Sequence, residues 1–310
     1  MLAIFLKTLP FFALIGLGYV AGRTRFFTEE ATAYLTRFVF YFALSAMLFK
    51  FSANLSIADV LDWPFIWAYM WGTMLVYLVA TAIALLRWLP IEEAAVEGQC
   101  AVIGNVGFLG IPMLVLLLGQ EAIGSVMMVL AVDLIVFGSL IVILITGSRD
   151  GRMSLGIFKT VGKGLITNPM IVSISLGLMW SASGAPIPAP ANEFLDILGS
   201  AATPGALFAI GASLASKSAE RVSIAGWLSF CKLVLHPAAV ALAALVIFPV
   251  EPYAAGVMIA AAALPVAGNV YILAQHYGVA PTRVSASILI STAISVVTVS
   301  AIIGWVSTLS

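Results

Sequence analysis

Long apolar runs alternate with short polar breaks along the whole chain. A membrane-crossing helix needs about 20 largely apolar residues. By that measure the pattern predicts ten segments, at 2–21, 31–51, 63–88, 94–118, 122–146, 164–183, 193–215, 222–248, 253–277 and 284–309. Tryptophans bracket the third, as expected where a helix meets the two water interfaces. A polar linker, 147–163, divides the chain near its middle. Two segments break the pattern from within. The fourth contains Gly104–Asn105–Val106–Gly107–Phe108–Leu109–Gly110–Ile111–Pro112, and the ninth contains Leu264–Pro265–Val266–Ala267–Gly268–Asn269–Val270. Glycine costs about 1 kcal/mol against alanine in a helix, and proline removes a backbone donor. Irregular backbone at membrane depth survives only where protein or a wet cavity surrounds it, so paired interruptions point to a transporter's binding site.

Five segments precede the linker and five follow it. An odd number per half forces the second half to enter the membrane upside down. The predicted organisation is a first five-helix repeat over 1–146, the linker over 147–163 and an inverted second repeat over 164–310. Residues 159 positions apart agree in places: Thr8–Leu9–Pro10 with Thr167–Asn168–Pro169, each read as opening a first helix, Gly18 with Gly177, and Gly119 with Gly278. At the same offset Val106 falls on Pro265, which puts both interruptions at one depth.

Composition sharpens the class. Hydrophobic residues make up 62% of the 310 positions and charged residues 9%, against about 25% charged in soluble domains. The chain is therefore read as an all-α integral membrane protein embedded in a lipid bilayer. A formal net charge of zero argues against a nucleic-acid partner. The start of the chain reads as a first membrane helix rather than a cleavable leader, because more membrane segments follow it. The distribution of Lys and Arg sets orientation. One set of alternate loops holds Arg23, Arg25, Arg87, Arg149, Arg152, Lys159, Lys163, Lys217, Arg221 and Arg283, while the opposite set holds Lys7 and Lys50. That imbalance predicts both termini outside, the linker in the cytoplasm and a multi-pass protein of the cytoplasmic (inner) membrane.

Several stretches carry a resemblance: Asn168–Pro169–Met170–Ile171–Val172, the loop Pro186–Ile187–Pro188–Ala189–Pro190, Phe194–Leu195–Asp196–Ile197–Leu198–Gly199, and Pro204 through Ala215. With Asn105, Gly110–Ile111–Pro112 and Leu264–Pro265, they resemble the auxin efflux carrier family, which includes plant PIN-type carriers and bacterial malate or malonate permease-like proteins. The resemblance spans essentially the whole chain. It implies ten helices in two inverted five-helix repeats, as in bile acid/sodium symporter-like architectures. It also implies a scaffold domain, a transport domain, broken fourth and ninth helices that cross at the substrate, and a homodimer through the scaffold. The family's fourth helix usually breaks at a proline before the asparagine; here that position is Gly104.

The candidate chemistry sits at the breaks. Half-helix N-termini favour anions, and freed carbonyls suit a cation. Asn105 and Asn269 donate and accept, so each suits a carboxylate, or else simply caps a broken helix. The predicted substrate-binding set is Asn105, Val106, Gly107, Pro265, Val266, Gly268 and Asn269, with Gly104, Gly107 and Gly268 allowing close backbone approach. Ionisable residues within segments need a reason. Asp133 sits midway along the fifth, and Lys232 and His236 share one face of the eighth, just before Pro237. Asp133 or His236 is a candidate proton carrier, and Lys232 would neutralise an anion or Asp133; a static buried ion pair, or a residue facing a water-filled crevice, is the other reading. Arg37 can snorkel to the surface. Cys100 and Cys231 have no metal-ligand spacing and read as small buried residues. No Walker motif, nucleophile elbow or metal cluster is present in the sequence, so no enzyme activity and no resident cofactor are expected. The predicted function is secondary transport of a small organic anion, a dicarboxylate such as malate or malonate or an auxin-like carboxylate, either coupled to H+ or Na+ or as a uniport. A channel or a sensor on a transporter fold is the alternative.

Overall fold

The computed structural model describes residues 2–55, 62–150, 155–216 and 222–308. Among them the chain is helical, with a single antiparallel backbone bridge. The helices are α1 (Leu2–Arg23), α2 (Glu29–Ala53), α3 (Trp63–Leu86), α4 (Ile91–Val102), α5 (Val106–Leu118), α6 (Ala122–Arg149), α7 (Leu155–Thr167), α8 (Pro169–Ala182), α9 (Ala189–Leu214), α10 (Val222–Ile247), α11 (Pro252–Ala262), α12 (Gly268–Tyr277) and α13 (Pro281–Val306).

Seven of these, α1, α2, α3, α6, α9, α10 and α13, are long and apolar enough to cross a membrane, and α7 with α8 adds an eighth if that bent pair is one span. The predicted fourth and ninth segments are absent from this set because each is broken into short halves. Their apolar pieces, Val106–Leu118 and Pro252–Ala262, are too short to cross alone. Outward-facing side chains fit a lipid environment: Trp67, Leu78 and Leu86 on α3 are 53%, 57% and 79% exposed.

Helix boundaries follow local chemistry. Thr28, Asp62 and Asn168 cap α2, α3 and α8 by accepting from Ala31, Phe65 and Met170 N–H groups. The Glu251 carboxylate accepts from Tyr253 and Ala254 at the start of α11. Gly119 (φ 104°) and Gly278 (φ 67°) end α5 and α12 in a backbone region that favours glycine.

Within the linker 147–163, α6 runs on to Arg149 and α7 begins at Leu155. Arg152, together with Lys217 and Arg221, lies outside the described residues. Thr8–Leu9–Pro10 does not open a helix; Pro10 lies inside α1. Asn168–Pro169 does open α8, after a 67° bend from α7.

The helices form two packed groups. In one, α1 lies along α9 and α2 along α8 and α9; in the other, α3, α4, α5, α6, α10, α11, α12 and α13 pack together. They meet where α1 touches α13 and α9 touches α5. Backbone contact is closest at glycines. A Cβ on Gly211 would stand 1.9 Å from the Ile15 carbonyl oxygen, and one on Gly18 would stand 2.1 Å from that of Phe208. Gly211→Ala is therefore expected to destabilise by about 1–3 kcal/mol through overpacking. Gly16→Ala, where a Cβ meets nothing within 4 Å, leaves the unfolding midpoint in detergent unchanged. Equal midpoints for the two variants would contradict the α1–α9 packing.

Candidate functional site

The two interruptions meet. Gly104 and Val266 form the antiparallel bridge. The Asn105 N–H donates to the Pro265 carbonyl at 2.9 Å, and the Ala267 N–H donates to the Ile103 carbonyl at 3.0 Å. The Val266 N–H donates to Ser291 Oγ at 3.1 Å. Each break thus satisfies backbone groups that the other helix leaves open. The same geometry aims the N-termini of α5 and α12 at one place, with their first N–H groups lacking intrahelical acceptors.

A cavity of about 40 Å³ lies beside the crossing. Asn105, Val106, Gly107, Gly268 and Asn269 line it, joined by Asp133, Asn168, Phe40 and Met170. Pro265 and Val266 do not line it; they supply the bridge. Neither asparagine acts as a helix cap. Asn105 makes no side-chain capping bond at the start of α5, and the capping position of α12 is Ala267. Asn105 is 6% exposed. Asn269 Oδ1 and Asp133 Oδ2 are buried without a hydrogen-bond partner, and a partnerless buried oxygen marks a place where a polar ligand or water gains most.

Asp133 Oδ1 accepts from Tyr69 OH at 2.8 Å, and the Tyr69 ring meets the His236 ring edge-on. Lys232 and His236 do share one face, but they do not line the cavity. Lys232 Nζ donates to the Ala262 carbonyl and lies 3.1 Å from His236 Nδ1. His236 Nε2 lies 3.0 Å from Thr73 Oγ1. Among the described residues Lys232 makes no ion pair with Asp133 within 4.0 Å.

Four π-helical turns stand at this level. Those at Val39–Ala43, Val106–Gly110 and Asp133–Phe137 each contribute lining residues, and that at Cys231–Leu235 carries Lys232. Such turns add one residue per turn and re-aim side chains, and they concentrate at functional sites.

Sequence reasoning missed two features. Asn168 caps α8 and lines the cavity, although it was read only as part of a motif. Glu97, fully buried on α4, accepts from Arg283 Nη1 at 2.8 Å and pairs with Arg87, while Arg283 Nη2 reaches Glu93 at 3.0 Å. Arg283 was counted among loop cations, yet it is buried at the start of α13. Arg149 joins Glu92 to the Tyr277 carbonyl nearby. Glu97 was visible as a carboxylate inside an apolar run, the same signal that picked out Asp133.

The chain matches the family described as "Membrane transport protein" over residues 3–303. It is 30% identical over 298 residues to the Rhizobium meliloti (strain 1021) protein named "Putative malonate transporter", covering 95% of this chain and 93% of that one. It is 27% identical over 227 residues to the "Lysosomal cholesterol signaling protein" of Mus musculus, covering 69% of this chain and 26% of that one.

Proposed function

Because this chain belongs to the membrane transport protein family, the auxin efflux carrier group whose motifs it carries, we propose that it is a secondary transporter of a small organic anion, a dicarboxylate of malonate or malate size being favoured over an auxin-like carboxylate. The anion binds at the crossing of the two broken segments. The observation that carries this reading is the backbone-paired crossing beside a cavity that Asn105, Asn168 and Asn269 line together. Two helix N-termini supply partial positive charge there, and Asn105, Asn168 and Asn269 supply amide donors to carboxylate oxygens.

The cavity of about 40 Å³ has room for a few waters, at about 10–15 Å³ each on the same measure. In this reading a dicarboxylate loads as the two helix groups part, by alternating access of one group moving against the other. The group holding α1, α2, α8 and α9 is the scaffold in this reading and the surface of a homodimer. The group holding both breaks is the mobile part. An inverted repeat of ten spans is part of the proposal, supported by equivalent packing: Gly18 on α1 abuts α9, and Gly177 on α8 abuts α2. The Lys/Arg imbalance supports termini outside the cytoplasmic membrane and the arginine-bearing turns within.

The test is uptake into proteoliposomes of labelled malonate, malate and an indole carboxylate, with and without proton and sodium gradients. Saturable uptake of one acid is expected. No flux from folded protein, or conductance far above carrier turnover, overturns the carrier reading in favour of a sensor or a channel. Asp133→Asn keeps the acceptor for Tyr69 and removes the titratable group. It is expected to abolish stimulation by a proton gradient while leaving exchange at equal pH within about threefold, the scale of a neutral hydrogen-bond change. Unchanged stimulation removes Asp133 from coupling.

A further inference from the structure

Lys232 is the least expected group at the crossing. Its ammonium has three donors and no acceptor, and burying it unpartnered is among the most expensive placements in a membrane helix. Lys232 is completely buried, yet among the described residues no carboxylate lies within 4.0 Å of it. Its partners are the Ala262 carbonyl and His236 Nδ1. Ala262 is the last residue of α11, so its carbonyl is among those a helix leaves without an internal donor, at the end that carries partial negative charge. On the opposite side, a Cβ at Gly104 would stand 3.3 Å from both Cε and Nζ of Lys232. The ammonium therefore lies between the breaks, bonded to the carbonyl end of one and packed on the bare Cα of the other.

The surrounding hydrogen bonds agree with that placement. His236 Nδ1 also lies 3.2 Å from the Ala262 carbonyl, so Lys232 and His236 converge on that one oxygen, and His236 Nε2 lies 3.0 Å from Thr73 Oγ1. Half-helix carbonyl ends in transporters characteristically hold a small cation. Here the position on the Ala262 carbonyl is filled by a side chain, and glycine at 104 leaves the room for it.

We propose that the Lys232 ammonium is the built-in cation of the crossing, filling the place on the Ala262 carbonyl that a freely exchanging monovalent cation would otherwise take, so that the anion site assembles without an inorganic cation. This rests on reading the crossing as the anion site. Lys232 is a positioning residue: it touches both breaks and does not line the cavity.

The test has two arms. In the first, malonate uptake by the wild-type protein is measured in sodium, potassium and choline media, beside Lys232→Ala and Lys232→Met. Wild-type uptake is expected to be the same in all three. Lys232→Ala should fall about tenfold or more in choline, the loss expected for a charge-assisted hydrogen bond, and recover when methylammonium or sodium is added. Lys232→Met fills the space with an apolar chain, so it falls and does not recover. In the second arm, thermal unfolding is followed without substrate. Methylammonium chloride, compared with choline chloride, should raise the midpoint of Lys232→Ala and leave the wild type and Lys232→Met unmoved.

Sodium-dependent wild-type uptake, full Lys232→Ala activity in choline, or an unmoved Lys232→Ala midpoint each overturns the proposal. If no carboxylate is transported at all, the functional reading fails, and the substrate-free midpoints still decide this one. If Lys232→Ala does not fold, the wild-type cation series decides alone.

Discussion

Replacing both Asn105 and Asn269 by alanine is expected to reduce carboxylate uptake by about a hundredfold or more, since each amide hydrogen bond to a charged ligand contributes about 1.5–3 kcal/mol. The stability of the protein should barely change. Asn105 makes no side-chain capping bond, and the bonds that hold the crossing together at this residue run through its backbone N–H and carbonyl, which alanine keeps. Asn269 Oδ1 has no partner to lose. The measurement is a saturation curve for each single variant and the double variant, with the unfolding midpoint taken in parallel. A KM close to wild type in the double variant removes the asparagines from the binding site. A collapse of the midpoint would instead assign them a structural role that the hydrogen bonds do not reveal.

Glu97→Ala is expected to destabilise the protein by about 3–5 kcal/mol, the cost of stranding a buried charge after removing its partner. Glu97 is wholly buried and holds two arginines at once. Its loss leaves Arg87 without its carboxylate and Arg283 with Glu93 alone, while Arg283 Nε already lacks a partner. The four residues tie the end of α3 to α4 and α13, so the loss should spread through the whole group that carries the crossing. Thermal unfolding in detergent reads the effect. Replacing Glu97 and Arg283 together by apolar residues of similar volume should recover part of it, because an apolar filling has no charge to strand. A Glu97→Ala midpoint equal to wild type would mean that water reaches both arginines.

Much of the fold was legible in one dimension because a bilayer imposes a simple rule. Backbone groups in hydrocarbon must bond within their own segment, so apolar length reports helices directly. Exceptions to that rule are correspondingly loud. The glycines and proline at 104–112 and 264–268 marked both breaks at the residues where the helices stop. Residues four apart share a helix face, and so the spacing alone pairs Lys232 with His236. Pro10 is the counterexample: it lies inside α1, and a proline in sequence does not by itself say whether it opens a helix or sits within one.

Sequence alone determined that this is an all-helical membrane protein, which segments are interrupted, and which polar residues stand at the interruptions. These are properties of a residue and its near neighbours, and the helix period and apolar length encode them. Only the tertiary structure decided what those residues meet. It brought Asn168 from a bend between two helices into the same cavity as Asn105 and Asn269. It gave Asp133 to Tyr69 rather than to Lys232, and Lys232 to the carbonyl of Ala262. It buried Arg283 against Glu97, and it placed π turns where local propensity has no preference for them. Each of these depends on contacts between residues tens to hundreds of positions apart. Their energies come from pairing buried polar groups across helices, which no local pattern records.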